Sequence, residues 1–148
     1  MNTSTSPITV LLNATIASVK QFVDIQIGKM ELINIPIVQT DFGVLIGIVG
    51  DLKGRLIIMA DQKVFAEAAK SMYEMEISGE MLESFVGEFG NSVAGHTATK
   101  LSKDSINIDI TPPTTMQGMV KFGGFNKAIQ IPFMLDNNEG KIILAIDF

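Results

Sequence analysis

The chain has 148 residues, 47% of them hydrophobic, and this composition suits one globular domain with a hydrophobic core. The formal net charge is −5 and no stripe of lysine and arginine appears, so nucleic acid is not the expected partner. There are no cysteines, which excludes disulfides and thiolate nucleophiles, and the single histidine argues against a histidine metal site or triad. No targeting segment or membrane-spanning apolar run is apparent, so we expect a cytoplasmic protein without membrane insertion.

The first half of the chain contains two predicted helices with strands between them. Residues 1–6 are polar and are predicted to be frayed. Ser6 followed by proline is typical of a helix start, and apolar residues at three- and four-residue steps predict an amphipathic helix ending near Gly28. Residues 31–60 contain three β-branched runs separated by TDFG and DLKG, which predicts three strands with a tight hairpin at DLKG. Asp61 is predicted to cap the next helix.

The second half begins with a longer predicted helix over residues 79–102. After it, the runs INIDIT, TMQGMVKF, KAIQIPFML and KIILAIDF predict strands, with turns at GGFN and DNNEG. Strand runs that are segregated from helix runs indicate an α+β fold. We therefore expect residues 1–148 to form a single domain, a mostly antiparallel β-sheet with helices packed on one face, including the long central helix.

The long helix carries the unusual stretch FVGEFGNSVAG, which is rich in glycine. Ser84, Glu88 and Asn91 stand at positions i, i+4 and i+7, so on a helix they share an arc of roughly 60°. Gly95 falls on the same outward face and Gly87 borders it. The opposite side is the predicted core face, made of Leu82, Phe85, Val86, Phe89 and Val93.

Spacing alone leaves two interpretations of the outward face open. An acid and an amide on an exposed helix face most often form ordinary solvated surface. Alternatively they are a functional pair, and the glycines lower the surface around them so that another protein can approach closely. Gly90 lies nearer the core face, where close packing against a neighbouring element is its expected role. His96 is interpreted as a residue at the edge of the core rather than a ligand, because no second histidine or cysteine exists.

The same helix motif supports a family resemblance. Ser84, Glu88 and Asn91, followed by the pair at residues 112–113, Pro-Pro, resemble the signature of the CheC/CheX/FliY family of chemotaxis phosphatases. The segments VLIGIVGDLKGRLII, GEFGNSVAGHTATKLS and DITPPT strengthen the resemblance, which covers nearly the whole chain from about residue 8. Together these segments are more specific than the acid–amide motif alone.

The number of motifs indicates which branch of the family the chain resembles. CheC-like members typically carry the Glu–Asn pair twice, whereas this sequence has it once. Gln21 and Asp24 in the first helix stand where a second motif would be sought, and they do not form one. A single motif is the CheX-like arrangement.

The resemblance implies hydrolysis of the aspartyl phosphate on a phosphorylated response regulator of the CheY type. Asn91 would then orient the attacking water, because an amide both donates and accepts hydrogen bonds. Glu88 would pair with the regulator's active-site lysine and dock the helix. Ser84 would have a spacing or minor contact role, while Gly87 and Gly95 would leave room for the partner. Mg²⁺ would be held by the regulator, so this chain would need no cofactor or metal ligands of its own.

Two other functions remain as alternatives. The fold could be a non-catalytic module that binds a response regulator or another signalling protein, although such a module has no need of Asn91. A structural role at a flagellar switch is less favoured, because the FliY-like proteins carry an extra domain. The resemblance also implies a homodimer joined through its sheets, for which the final run KIILAIDF would be suitable if it is an unpaired edge strand.

Overall fold

The computed structural model describes residues 6–33, 37–121 and 127–147, with side chains described except at 37–41, 121, 127 and 147. These residues form three helices and eight strands, with four strands rather than the predicted three between the first two helices, and the predicted α+β class is confirmed. The elements are α1 (Pro7–Phe22), β1 (Gln26–Ile27), β2 (Glu31–Ile33), β3 (Ile37–Gly50), β4 (Lys53–Ala60), α2 (Gln62–Tyr73), α3 (Glu80–Ser102), β5 (Ile108–Ile110), β6 (Thr114–Lys121), β7 (Lys127–Leu135) and β8 (Asn138–Asp147).

All the described strands belong to one sheet in which every pairing is antiparallel. The main order is β1-β7-β8-β4-β3-β5, while β2 also pairs with β7 and β6 also pairs with β3. Strand residues alternate between the two faces of the sheet. Leu56 and Ile58 of β4 join the main core beneath the helices, whereas Ile57 and Met59 lie in a smaller buried cluster on the opposite face. The helices therefore cover one face, as predicted.

The last strand does not occupy the edge position that the dimer argument required. β8 pairs with β4 along one side and with β7 along the other, so that Ile143 lies opposite both Ile57 and Gln130. Its apolar run is explained by burial on both faces of the sheet interior. The homodimer stays a prediction, but KIILAIDF cannot supply the free edge for it.

The break predicted at TDFG is also wrong. β3 continues through this sequence, and its pairing with β6 shifts register between Thr40 and Gly43, as at a β-bulge. Phe42 packs into the core, with its ring centroid 6.5 Å from that of Phe65 in α2. The hairpin predicted at DLKG is confirmed, since Ile48 lies opposite Gly54 in the β3–β4 pair. The turn predicted at GGFN lies outside the described residues.

The helix ends differ in part from the predictions. Ser6 caps α1 as predicted, because its Oγ accepts a hydrogen bond of 3.2 Å from the Thr9 N–H. The helix ends at Phe22 rather than near Gly28, since Gln26 and Ile27 are taken up by pairing with β7. Asp61 occupies the N-cap position of α2, but its side chain makes no capping hydrogen bond. The predicted span of α3 is confirmed within one residue. Residues 1–5 lie outside the described part of the chain.

Candidate active site

The apolar stripe of α3 fixes the orientation of the helix on the sheet. All five residues predicted for the core face are buried: Leu82, Phe85, Val86, Phe89 and Val93. Gly90 lies directly above β3, and a Cβ built on it would meet Cγ1 of Val44 at 2.6 Å. Close packing against the sheet, which we expected for Gly90, is confirmed. The opposite face of α3 must therefore point away from the sheet.

The predicted polar residues lie together on that outward face. Ser84, Glu88 and Asn91 are all exposed, and we call them the polar ridge of α3. Within the described part of the chain, no intramolecular hydrogen bond or ion pair engages the Glu88 carboxylate or the Asn91 amide. Among the described residues, neither group therefore has a side-chain contact that a partner would first have to break.

The two glycines that flank the ridge have different environments. A Cβ on Gly95 would have nothing within 4 Å, so this glycine leaves open space on the ridge, as expected. Gly87 is buried, and a Cβ there would lie 3.5 Å from Cγ2 of Thr115 and 3.8 Å from Cγ of Pro113. These are ordinary contact distances. Packing within the chain therefore leaves room for a Cβ at Gly87, and its expected role in giving clearance to a partner stays a prediction.

One side of the ridge is bordered by residues 111–115, which we call the proline wall. On an ideal helix, Asn91 and Gly87 turn toward the same side, at roughly 60° and 100° from Glu88. Because a Cβ on Gly87 would meet Pro113 and Thr115, Asn91 turns toward the side of the ridge that faces this wall. Pro113, the second of the two downstream prolines, is therefore brought alongside the helix that carries the motif.

A pair of hydrogen bonds positions the proline wall. The Gly47 N–H donates to Oγ1 of Thr111 at 2.8 Å, and the Thr111 N–H donates to the Gly47 carbonyl at 3.0 Å. A Cβ on Gly47 would lie 3.0 Å from Oγ1 and Cγ2 of Thr111. Sequence reasoning missed this contact. The available signal was a glycine inside the apolar strand VLIGIVG, which marks a close approach of another segment.

A second contact fixes the other end of β5. The Asn107 N–H donates to Oδ2 of Asp51 at 2.7 Å, and the Asp51 N–H donates to the Asn107 carbonyl at 2.9 Å. Gly50 precedes this turn with a φ of 112°, a conformation that favours glycine. These two contacts hold β5 against β3 and the turn that follows β3. They therefore fix the position of the segment that connects α3 to the proline wall.

His96 lies apart from the polar ridge. Its side chain is exposed, and its ring meets that of Phe22 in α1 edge to face, with centroids 4.9 Å apart. This position agrees with a residue at the edge of the core. Among the described residues, no group of three or more histidine, cysteine, aspartate or glutamate side chains is arranged to hold a metal ion. No helix in the described ranges has both the length and the apolar character needed to cross a membrane.

The site lies inside a segment that matches a known family. The family model described as chemotaxis phosphatase CheX matches residues 42–144, which include α3 and the proline wall. The chain belongs to the CheX family. The CheX-like membership expected from the helix motif is thereby confirmed.

Individual relatives agree with this membership. The CheY-P phosphatase CheX of Thermotoga maritima is 31% identical over 99 residues, and the match covers 64% of this chain and 64% of that protein, slightly less than two thirds of its length. A complex of CheX with CheY, BeF3 and Mg²⁺ from Borrelia burgdorferi gives a TM-score of 0.78 at 25% identity, covering 97% of this chain and 99% of that chain. A CheC-like superfamily protein from a Shewanella species matches in fold, with a TM-score of 0.81 at 22% identity over 100% of both chains.

Proposed function

We propose that this CheX-family chain is a phosphatase that hydrolyses the aspartyl phosphate of a CheY-type response regulator by inserting α3 into the regulator's active site. The observation that carries the proposal is the exposed pair Glu88 and Asn91 on one face of a firmly packed helix. The relatives support it, since one is a CheY-P phosphatase and another was solved in complex with CheY.

The chemistry requires little from the phosphatase. An acyl phosphate is already activated, so catalysis consists mainly of placing a water in line and stabilising the charge that spreads over the phosphoryl oxygens. Asn91 suits the first task, because its carbonyl oxygen can accept from a water while its amide N–H groups donate to a phosphoryl oxygen. The sheet contact of Gly90 holds the helix backbone under Asn91 in a fixed place.

Glu88 has a different proposed role. Its exposed carboxylate would pair with a lysine of the regulator's active site, and an ion pair of this kind fixes the register of the inserted helix. Ser84 would make a minor contact one turn earlier, and Gly95 would leave clearance one turn beyond Asn91. The regulator, rather than this chain, would hold the Mg²⁺, as is consistent with the composition of the Borrelia complex.

Three wider assignments belong to the same proposal. Residues 1–148 would act as a single CheX-like phosphatase domain, the protein would work in the cytoplasm where response regulators are found, and two copies would form a homodimer. Because β8 is interior, the dimer would have to use another strand or another face of the sheet.

The proposal is tested by adding the protein to a CheY-type regulator that carries a radiolabelled aspartyl phosphate. We expect release of inorganic phosphate faster than the regulator's own loss of phosphate, with the added rate proportional to the concentration of this chain. Binding to the regulator without any gain in phosphate release would instead favour the non-catalytic module.

A further inference from the structure

Two exposed apolar side chains lie near the N-terminal end of α3. Met81 is 60% exposed and Tyr73 is 48% exposed. The Tyr73 ring meets the buried ring of Phe85 edge to face, with centroids 5.6 Å apart, and Met81 precedes Phe85 by one helical turn. Tyr73 ends α2 and Met81 lies in the first turn of α3, so we call the two side chains the apolar shelf.

Helix geometry places Met81 on the same face as the proposed catalytic pair. Met81 precedes Glu88 by seven residues, which is about 10 Å along the axis and about 20° around it. A stable protein interface covers about 800 Å² on each partner, a patch far wider than 10 Å. A regulator surface centred on Glu88 and Asn91 is therefore wide enough to reach Met81.

The shelf differs in chemistry from the two polar residues. In the proposed function, Glu88 would pair with a lysine of the regulator and Asn91 would contact its phosphoryl group, and both of these groups are polar. The shelf offers a thioether and an aromatic ring, side chains that contribute strongly at protein interfaces when they are desolvated. The proline wall borders the ridge on the side opposite Met81.

We propose that the apolar shelf of Tyr73 and Met81 is a second docking contact for the response regulator, which packs an apolar side chain beside its phosphorylation pocket against it. This inference rests on the proposed function, because it requires α3 to be the docking helix. The shelf would increase the affinity for the regulator, while Asn91 would act on the chemical step.

The test compares Met81→Ala with two matched variants. Met81→Leu keeps an apolar side chain at the shelf, and Met30→Ala removes a methionine of similar exposure, 47%, that directly precedes β2, a strand paired with β7. The apparent KM and kcat are measured with phosphorylated regulator, and Kd is measured with the regulator loaded with Mg²⁺ and beryllofluoride. Thermal melts verify folding, which Met81→Ala should not disturb because alanine favours helix.

We expect Met81→Ala to raise KM and Kd about three- to tenfold, the range for removing an exposed side chain that becomes buried in an interface, while kcat stays within about twofold. Met81→Leu and Met30→Ala should resemble the wild type. The loss in Met81→Ala should also persist as salt rises, since an apolar contact is not screened.

Other outcomes separate the two proposals. If Met81→Ala binds like the wild type while Glu88→Ala binds weakly, the shelf is not a contact but the docking helix is correct. A fall in kcat at unchanged KM would also overturn the inference, because Met81 would then act on the chemical step. Failure of wild type to bind or dephosphorylate the regulator would overturn both the inference and the proposed function.

Discussion

Helices α1 and α3 lie against each other on the same face of the sheet, and they use their polar residues in different ways. Their contact includes an edge-to-face pair of rings, with the Phe22 and Phe89 centroids 6.3 Å apart. In α1, Thr15 and Ser18 are buried, and each hydroxyl donates to a main-chain carbonyl four residues earlier, at 2.8 and 2.7 Å. In α3, the polar ridge points outward instead.

The comparison distinguishes buried polar residues, which form hydrogen bonds within the fold, from exposed polar residues, which are available to bind a partner. A buried hydroxyl must be satisfied inside the chain, since an unpaired buried donor costs about 1–3 kcal/mol. Thr97 follows this rule within α3, donating to the Val93 carbonyl at 2.8 Å. Glu88 and Asn91 are exposed, so their replacement should change activity while leaving stability nearly unchanged. Four predictions test this contrast.

The largest effect is expected at Asn91. We expect Asn91→Ala to lower the rate of regulator dephosphorylation by about 10²–10³-fold, the scale for removing one preorganised polar group from a transition state. Asn91→Asp should not restore it, because aspartate loses the donor and brings negative charge toward a phosphoryl group. Thermal melts should place both variants near the wild type. Near-normal turnover by a folded Asn91→Ala would refute the catalytic role.

Glu88 should have the next largest effect, on binding rather than on chemistry. A hydrogen bond to a charged group contributes about 1.5–3 kcal/mol, so Glu88→Ala should weaken affinity for the regulator by about ten- to a hundredfold. Wild-type affinity should also fall as salt rises, because the exposed ion pair is screened. Titration calorimetry at two salt concentrations measures both effects. Equal salt dependence in the wild type and in Glu88→Ala would argue against the ion pair.

The glycines of α3 allow a matched comparison of stability. Gly90→Ala should lower the free energy of unfolding by about 1–2 kcal/mol, because overpacking against Val44 costs about 1–3 kcal/mol and alanine recovers only part of it. Gly95→Ala should raise it by about 0.5–1 kcal/mol, since its surroundings are open. Urea unfolding measures both changes. Weaker regulator binding by Gly95→Ala would support its clearance role, whereas unchanged binding would oppose it.

The smallest effect is expected on α1. Gln21 is exposed, and no Glu–Asn pair accompanies it. We expect Gln21→Ala to change stability by less than about 0.5 kcal/mol, as is usual for exposed positions, and to leave turnover within about twofold. The same phosphate-release assay provides the measurement. A large loss of turnover would mean that α1 takes part in the site and that the contrast between the two helices is wrong.

The sequence was informative wherever local periodicity carries the signal. The three- and four-residue spacing in α3 predicted its span, its buried stripe and the outward placement of Glu88 and Asn91. The Ser6 cap and the DLKG hairpin were also predicted, because caps and tight turns depend on a few neighbouring residues. The roles of Ser84, Glu88 and Asn91 still await the experiments above.

Long-range pairing decided the features that the sequence could not reveal. Whether an apolar strand is an edge or an interior strand depends on which strands flank it, and β8 proved to be interior. In the same way, β3 continues through TDFG because it pairs with β6. The first helix ends earlier than predicted because Gln26 and Ile27 pair with β7.

For the candidate site, the sequence by itself determined which residues share the outward face of α3, since 3.6 residues per turn fix that arrangement locally. Only the tertiary structure brought Thr111 onto Gly47 and set the proline wall beside Gly87. These contacts join segments up to 64 residues apart, and no local propensity encodes them. The contact of Thr111 with β3 depends on the close approach that Gly47 permits.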